Sequence, residues 1–206
     1  MAKSHLKLVG PNAKKRTVTP RRRKNAEVRS REYLTESEVE ALMKAARDNR
    51  WGHRDSTMVL VAYRHGLRVS ELVDLRWDQI DFGTGTLHVR RVKKGTPATH
   101  PIVGDELRAL RRLQREQESK SPFVFVSERG APFTTAGFAR MFERIGKAAG
   151  LESKVHPHML RHACGFKLAN DGVDTRSLQA FLGHRNIQHT VRYSELSPER
   201  FKDFWR

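Results

Sequence analysis

Tyr193 stands nine residues beyond His184, which closes a Leu182-Gly183-His184 turn, and two arginine-bearing segments lie upstream. One is Gly66-Leu67-Arg68-Val69-Ser70-Glu71-Leu72, and the other is His156-Pro157-His158-Met159-Leu160-Arg161-His162. Together these residues look like the dispersed parts of one phosphoryl-transfer site. A phenol titrates near pH 10, so Tyr193 needs nearby cations or a base before it attacks phosphorus at neutral pH. A guanidinium stays charged and presents a planar fork that matches two phosphate oxygens. Arg68 and Arg161 could therefore hold a phosphodiester and stabilise its transition-state charge without a metal. Glu71 is three residues from Arg68, and His158 three from Arg161, so each pair shares a helix face. As a plain surface ion pair, Glu71 with Arg68 would contribute only about 0 to 1 kcal/mol. His184 follows a helix-ending glycine, so its imidazole emerges at a turn where it can donate to phosphate. Of the other tyrosines, Tyr63 sits in an apolar helical run and reads as core, and Tyr33 precedes a helix cap and reads as packing.

Two competing chemistries draw on the same stretch. His156, His158, His162 and Cys164 crowd nine residues, but only His158 and His162 have ligand-like spacing. No HExxH glutamate, CxxC pair or second cluster completes a tetrahedral set, and no metal or other cofactor is expected. Cys164, between Ala163 and Gly165, packs as a small hydrophobe rather than acting as a nucleophile.

The elements that must position these groups are mostly helices. Thr35 and Glu38 form a capping box, after which Val39, Leu42, Met43 and Ala46 recur at helical spacing. A second helix spans about Asp55 to His65, with Gly66 ending it in the left-handed conformation, and a third, shorter helix follows. Residues 86–91 and 99–103 read as strands around the KKGTPA turn, and Phe123-Val124-Phe125-Val126 as another apolar strand. Helical patterns cover roughly 105–118, 134–149, 158–170, 174–182 and 187–193, with a last segment at 197–205. The expected fold class is α+β, predominantly helical, with a small antiparallel sheet.

Composition points to a partner. Forty Lys and Arg against 23 Asp and Glu give a net charge of +17 over 206 residues, which suits a polyanion, most simply nucleic acid, with a membrane surface the weaker alternative. No apolar run approaches the roughly 20 residues of a membrane span, no signal sequence follows the basic N-terminus, and a lone cysteine fits a reducing compartment. A cytoplasmic protein is expected, nucleoid-associated in a bacterium. Residues 1–31 hold eleven of the basic residues and one acid, Glu27. With Pro11, Pro20 and no periodicity, this stretch reads as a disordered arm in which Lys14, Lys15, Arg16, Arg21, Arg22, Arg23 and Lys24 contact DNA. A solubilising tail is the bland alternative.

The strings YRHGLRVSEL, HPHMLRHACG and LGHRNIQHTVRY resemble those of the tyrosine site-specific recombinases, also called phage-integrase-type recombinases, and especially the small fimbrial phase-variation recombinases. The resemblance covers about Tyr33 to Trp205 and implies a catalytic domain over 32–206. It implies a site of Arg68, a hairpin lysine, His158, Arg161, His184 and Tyr193, with Glu71 bracing Arg68 and His162 structural. Lys93 is the lysine selected by separation from Pro101; Lys94 remains open as catalyst or as a DNA-backbone contact. The implied reaction is attack by Tyr193 on a DNA phosphodiester, giving a 3′-phosphotyrosyl link, with His158 as proton acceptor and the lysine as proton donor. Implied partners are duplex DNA with paired recombination sites, further copies of the chain in a tetramer, and accessory DNA-bending proteins. Most members carry an N-terminal clamp domain, which has no counterpart here; the length and Met1 favour a minimal recombinase over a truncated integrase. A type IB topoisomerase and a non-catalytic DNA-binding regulator are the alternatives. The final segment places Ser197 as a cap and Phe201, Phe204 and Trp205 on one helical face, to be buried on the same protomer or, as the resemblance implies, on a neighbour.

If about five basic residues of the arm meet phosphates, deleting residues 1–30 lowers the salt slope of DNA binding by roughly 4 to 5. Titrations at several salt concentrations check this, and an unchanged slope makes the arm a tail.

Overall fold

The computed structural model describes residues 32–91, 95–117 and 121–195. The expected arm contacts, Lys93, Lys94 and the segment at 197–205 lie outside the described residues. Helix α1 (Glu36–Arg47) starts as its sequence dictates: Thr35 accepts from the Glu38 backbone N–H, and the Glu38 carboxylate accepts from the Thr35 backbone N–H. Helix α2 (Gly52–Arg64) begins about three residues earlier than its apolar spacing suggests. The physical reason is tertiary, because His53 meets the Ala109 carbonyl and Arg54 donates to the Val126 carbonyl. Gly66 then takes φ +55°, a left-handed conformation open to glycine at little cost, and the chain turns into α3 (Val69–Val73).

A three-stranded antiparallel sheet follows, made of β1 (Ile80–Asp81), β2 (Thr86–Val89) and β3 (Ala98–Pro101) in that order. Leu87 pairs with Ile80 on one side and His100 on the other. The strand β1 is too short to leave a periodic signal, and it escapes the sequence reading. The apolar segment at 123–126 is not a regular strand. It makes isolated bridges, Arg76 with Phe123 and Val126 with Pro132, while Val124 and Phe125 are both fully buried. Alternating faces cannot both be enclosed on a one-sided small sheet, so this segment threads the core instead. Helices α4 (Gly104–Glu116), α5 (Thr135–Ala148), α6 (His158–Asn170), α7 (Thr175–Leu182) and α8 (Gln188–Glu195) complete the described chain. The fold is α+β and predominantly helical, as its sequence implies.

Two apolar clusters divide the interior. The larger contains Leu42, Met58, Leu72, Leu110, Phe125, Phe138, Phe142 and Leu160, and the smaller contains Cys164, Phe166, Ala169, Leu178, Leu182 and Tyr193. Helix α6 belongs to both, because Met159, Leu160 and Ala163 face the first and Cys164, Phe166 and Ala169 the second. It is buried almost all round, and its central residues from Met159 to Phe166 are all enclosed. The helix that carries His158, Arg161 and His162 is therefore fixed from both sides.

Candidate active site

Helix α6 delivers Arg161 into the interior, where the whole residue is 1% exposed. Its Nη1 donates to the Gly66 carbonyl and its Nη2 to the Leu182 carbonyl at 2.6 Å. Gly66 lies two residues before Arg68, and Leu182 two before His184, so one guanidinium joins two of the segments that the sequence singled out. Burial, then repulsion from Arg68 and Arg91, pushes the Arg161 guanidinium down to about 10. It stays charged at neutral pH.

Arg68 is the N-cap of α3 and is half-buried. Its Nη1 donates to Glu71 Oε1 at 2.8 Å, and its backbone N–H to Glu71 Oε2 at 3.0 Å. Burial alone would raise the Glu71 carboxyl, but the Arg68 backbone N–H, Arg91 and the Arg68 guanidinium outweigh it and hold the group below its ordinary value. Glu71 thus stays ionised in the interior.

Gly183 ends α7 in the left-handed region at φ +65°, and His184 leaves the turn toward a cleft of about 680 Å³. Arg68, Arg176, Gly183, His184, Arg185 and His189 line that cleft. His184 Nδ1 lies 2.8 Å from Thr190 Oγ1 on α8, which fixes the ring plane. Burial, then Arg161 and Arg68, push His184 down to about 3. Arg176 and Arg185 were missed in the sequence, where each reads as an ordinary solvated charge; their signal is only that they flank the Leu-Gly-His turn.

Tyr193 sits on α8, 1% exposed. Its Oη shares a hydrogen bond with His162 Nδ1, 2.9 Å away, and its ring stands edge-on to Phe166 and nearly parallel to His184, with centroids 5.1 and 6.3 Å away. Burial raises the phenol above its ordinary value, against the pull of Arg161 and Arg192. His162, structural by the resemblance, is buried and holds the phenol. Burial and the neighbouring His158 push it down to about 3. A Cβ on Gly165 would lie 2.7 Å from Tyr193 Cζ, so the ring rests directly on the α6 backbone. Only the absence of a side chain there lets the tyrosine ring approach, a requirement that sequence reading passed over.

His158 lies at the exposed start of α6, with Pro157 as N-cap, and its ring meets His162 edge-on at 4.4 Å. Burial of its inner side, then Arg161, push it down to about 4. The structure therefore brings Arg68, Glu71, His158, Arg161, His184 and Tyr193 together. The lysine lies outside the described residues, but Arg91 and Gly95, on either side of 92–94, both crowd this site: a Cβ on Gly95 would lie 3.0 Å from the Gly183 carbonyl. Arg91 is a second residue that sequence reading missed. Its Nη1 donates to Glu71 Oε2 at 2.9 Å and its Nη2 to the Phe181 carbonyl. Behind Phe181 lies a third support. The His100 ring stacks on it at 3.8 Å, with His100 Nδ1 3.1 Å from His65 Nδ1 and His65 Nε2 2.9 Å from Glu106 Oε1.

The rival assignments also have places. Tyr63 is half-buried with its hydroxyl 3.4 Å from Glu36, and Tyr33 packs on Phe166. Cys164 is buried, and desolvation pushes its thiol up to about 12, which makes it a poor nucleophile. Among the described residues, no group of three or more His, Cys, Asp or Glu converges as metal ligands, and no helix is long and apolar enough to cross a membrane.

Comparison with known proteins returns one family. The phage integrase family pattern matches residues 32–200. Type 1 fimbriae regulatory protein FimE of Escherichia coli strain K12 is 42% identical over 180 residues, covering 85% of this chain and 91% of the relative. Tyrosine recombinase XerC of Staphylococcus haemolyticus is 32% identical over 177 residues, covering 83% of this chain and 59% of the longer relative. A crystal structure of XerA recombinase superposes with a TM-score of 0.73 at 29% identity, over 84% of this chain and 63% of that one.

The site makes two testable claims. Gly165→Ala forces the rigid Tyr193 ring away from α6, so amide hydrogen exchange across 188–195 should accelerate while α5 remains protected, with an overpacking cost of about 1 to 3 kcal/mol; unchanged exchange contradicts the contact. His100, His158, His162 and His184 are all held below the ordinary histidine value of about 6.5, at about 3, 4, 3 and 3. In this window the unfolded chain binds more protons than the folded one, so stability is full above pH about 6.5 and falls as the pH drops toward 4. Melting temperatures measured between pH 7.5 and 5 should decline, and a flat profile contradicts the burial of neutral imidazoles.

Proposed function

The chain belongs to the phage integrase family and is a site-specific DNA recombinase of the tyrosine type, and from that premise we propose that Tyr193 is its nucleophile. The observation that carries this is the Arg161 clamp, which gathers the Arg68 and His184 segments beside the helix that packs on Tyr193.

In the proposed reaction the Tyr193 oxygen attacks a DNA phosphorus. The bond to the tyrosyl oxygen forms, the bond to the 5′ oxygen breaks, and a 3′-phosphotyrosyl link remains. Arg68 and His184 meet the phosphate oxygens at the cleft, and Arg161 supplies charge from beneath, in a site where such preorganised donors act strongly. For His184 to donate from Nε2 while neutral, Thr190 must donate its hydroxyl proton to Nδ1; this tautomer follows from the role. Glu71 holds the Arg68 fork in place. The phenol is enclosed and bonded to His162, so α8 must shift before attack. That shift brings the phenol within reach of His158, which accepts its proton. The leaving 5′ oxygen takes a proton from Lys93, with Lys94 the other candidate donor. A 5′ hydroxyl from the partner duplex then reverses each step. One phosphodiester is exchanged for another, so no ATP is consumed, and the proposed chemistry uses no metal.

Each protomer offers one Tyr193, and exchange between two duplexes requires four strand cuts. The working unit on paired recombination sites is therefore a tetramer. The remaining basic surface, including the arm at 1–31 and Arg176 and Arg185 at the cleft, holds the duplex backbone. A cytoplasmic, DNA-associated location and accessory bending proteins complete the proposal.

Tyr193→Phe should abolish covalent trapping on a nicked suicide duplex while DNA binding persists, and a surviving adduct would sink the assignment. Arg161→Ala should slow trapping by roughly 10²-fold or more. Chelator should leave the wild-type rate unchanged; a requirement for added magnesium contradicts the metal-free site.

A further inference from the structure

Arg91 belongs to none of the signature segments, yet its side chain is fully enclosed. Its two bonded nitrogens face in different directions. Nη1 meets the Glu71 carboxylate that also holds Arg68, and Nη2 meets the carbonyl of Phe181, three residues before His184. The arrangement parallels that of Arg161, which joins Gly66 to Leu182. The two arginines thus make parallel ties between the start of α3 and the end of α7. The chain closes over Arg91 at two glycines: a Cβ on Gly95 would lie 2.8 Å from Arg91 Cβ, and one on Gly183 2.7 Å from Arg91 Nε. Both glycines line the cleft. The buried Nε finds no hydrogen-bond partner among the described residues, so the guanidinium is held by its two terminal nitrogens.

We propose that Arg91 is a positioning residue for strand cleavage: it ties the carboxylate that braces Arg68 to the helix end that presents His184, and so sets the spacing of these two phosphate-binding groups across the cleft. This rests on the roles proposed above for Arg68 and His184. A lysine could keep the charge but not the fork, since a single ammonium lacks the fixed planar geometry that spans carboxylate and carbonyl together. Loss of the cation altogether has a second effect. The groups facing Glu71 are Arg68 from the start of α3, Arg91 from the end of β2 and, at longer range, Arg161 from α6. Without Arg91 the buried carboxylate keeps Arg68 as its one direct cationic partner, and protonation becomes easier.

The test uses the full chain with Arg91→Lys and Arg91→Met, measuring single-turnover covalent trapping on a nicked duplex from pH 5.5 to 8.5, with DNA affinity and melting temperature alongside. Arg91→Lys should trap about 10- to 100-fold more slowly, by analogy with losing an orienting partner behind a metal ligand, at unchanged affinity and well below its melting temperature. Arg91→Met should in addition show a new acid limb, with the rate falling as the pH falls. A wild-type rate in Arg91→Lys overturns the proposal, as does a slow rate that matches only the fraction of protein unfolded. Should Arg91→Met fail to fold, Arg91→Lys alone decides. Tyr193→Phe run in parallel separates the levels: trapping that survives in it overturns the site itself, whereas trapping lost in it but normal in Arg91→Lys overturns only the role of Arg91.

Discussion

Everything around the site depends on two guanidinium groups buried against the carbonyl end of one short helix. The last carbonyls of any helix lack partners within it and carry the negative end of its dipole. In helix α7 the carbonyls of Phe181 and Leu182 are taken by Arg91 and Arg161. Removing two cations from water is costly, and the cost is tolerable only where bonds satisfy them. Here the helix end, the Gly66 carbonyl and Glu71 do so. With Arg68 added, two cations bond the Glu71 carboxylate and a third lies at longer range, which leaves the cleft with surplus positive charge. A phosphodiester is the ligand that such a surplus fits.

The same arrangement accounts for the division of the interior. The larger apolar cluster anchors α6 and with it Arg161, while the smaller one carries α7 and α8. Helix α8 is eight residues long and rests on Phe166 and the bare backbone at Gly165. Segments with few buried apolar contacts open at lower free energy than the core does. Arg68 and Arg161 thus sit on elements anchored in the larger cluster, and Tyr193, the proposed nucleophile, on a short helix of the smaller one. The ties from His184 to Thr190, from His162 to Tyr193 and from Thr175 to Ser194 are single hydrogen bonds that the proposed shift of α8 can exchange.

Sequence alone reached much of this, for reasons that differ by residue. That Arg68, His158, Arg161, His184 and Tyr193 converge was legible because they stand in strings that resemble one family's signature segments. Helix α5 was legible because its apolar period is sustained for more than three turns, and α6 because a long, largely apolar stretch follows Pro157. Arg91 was not, since it sits among Arg90, Lys93 and Lys94, where a basic residue reads as solvated. Only the fold reveals that it points inward. His65, His100 and Glu106 lie on three different elements, so no spacing joins them. Strand β1 has two residues, below any period, and the apolar run at 123–126 carries strand-like composition with no ladder to join. Gly165 was passed over because a close approach of a ring to a helix backbone has no sequence signature beyond the glycine.

The central claim is that these dispersed segments form one site whose attacking atom is the Tyr193 oxygen. The most direct measurement is mass spectrometry of the covalent complex formed by the wild-type chain on a nicked duplex, after digestion with trypsin and nuclease. The account predicts a nucleotide remnant joined through its 3′ phosphate to the peptide Tyr193 to Arg200, fragmenting at the tyrosine. A remnant on the peptides containing Tyr33, Tyr63 or Cys164, or a link through a 5′ phosphate, would contradict it.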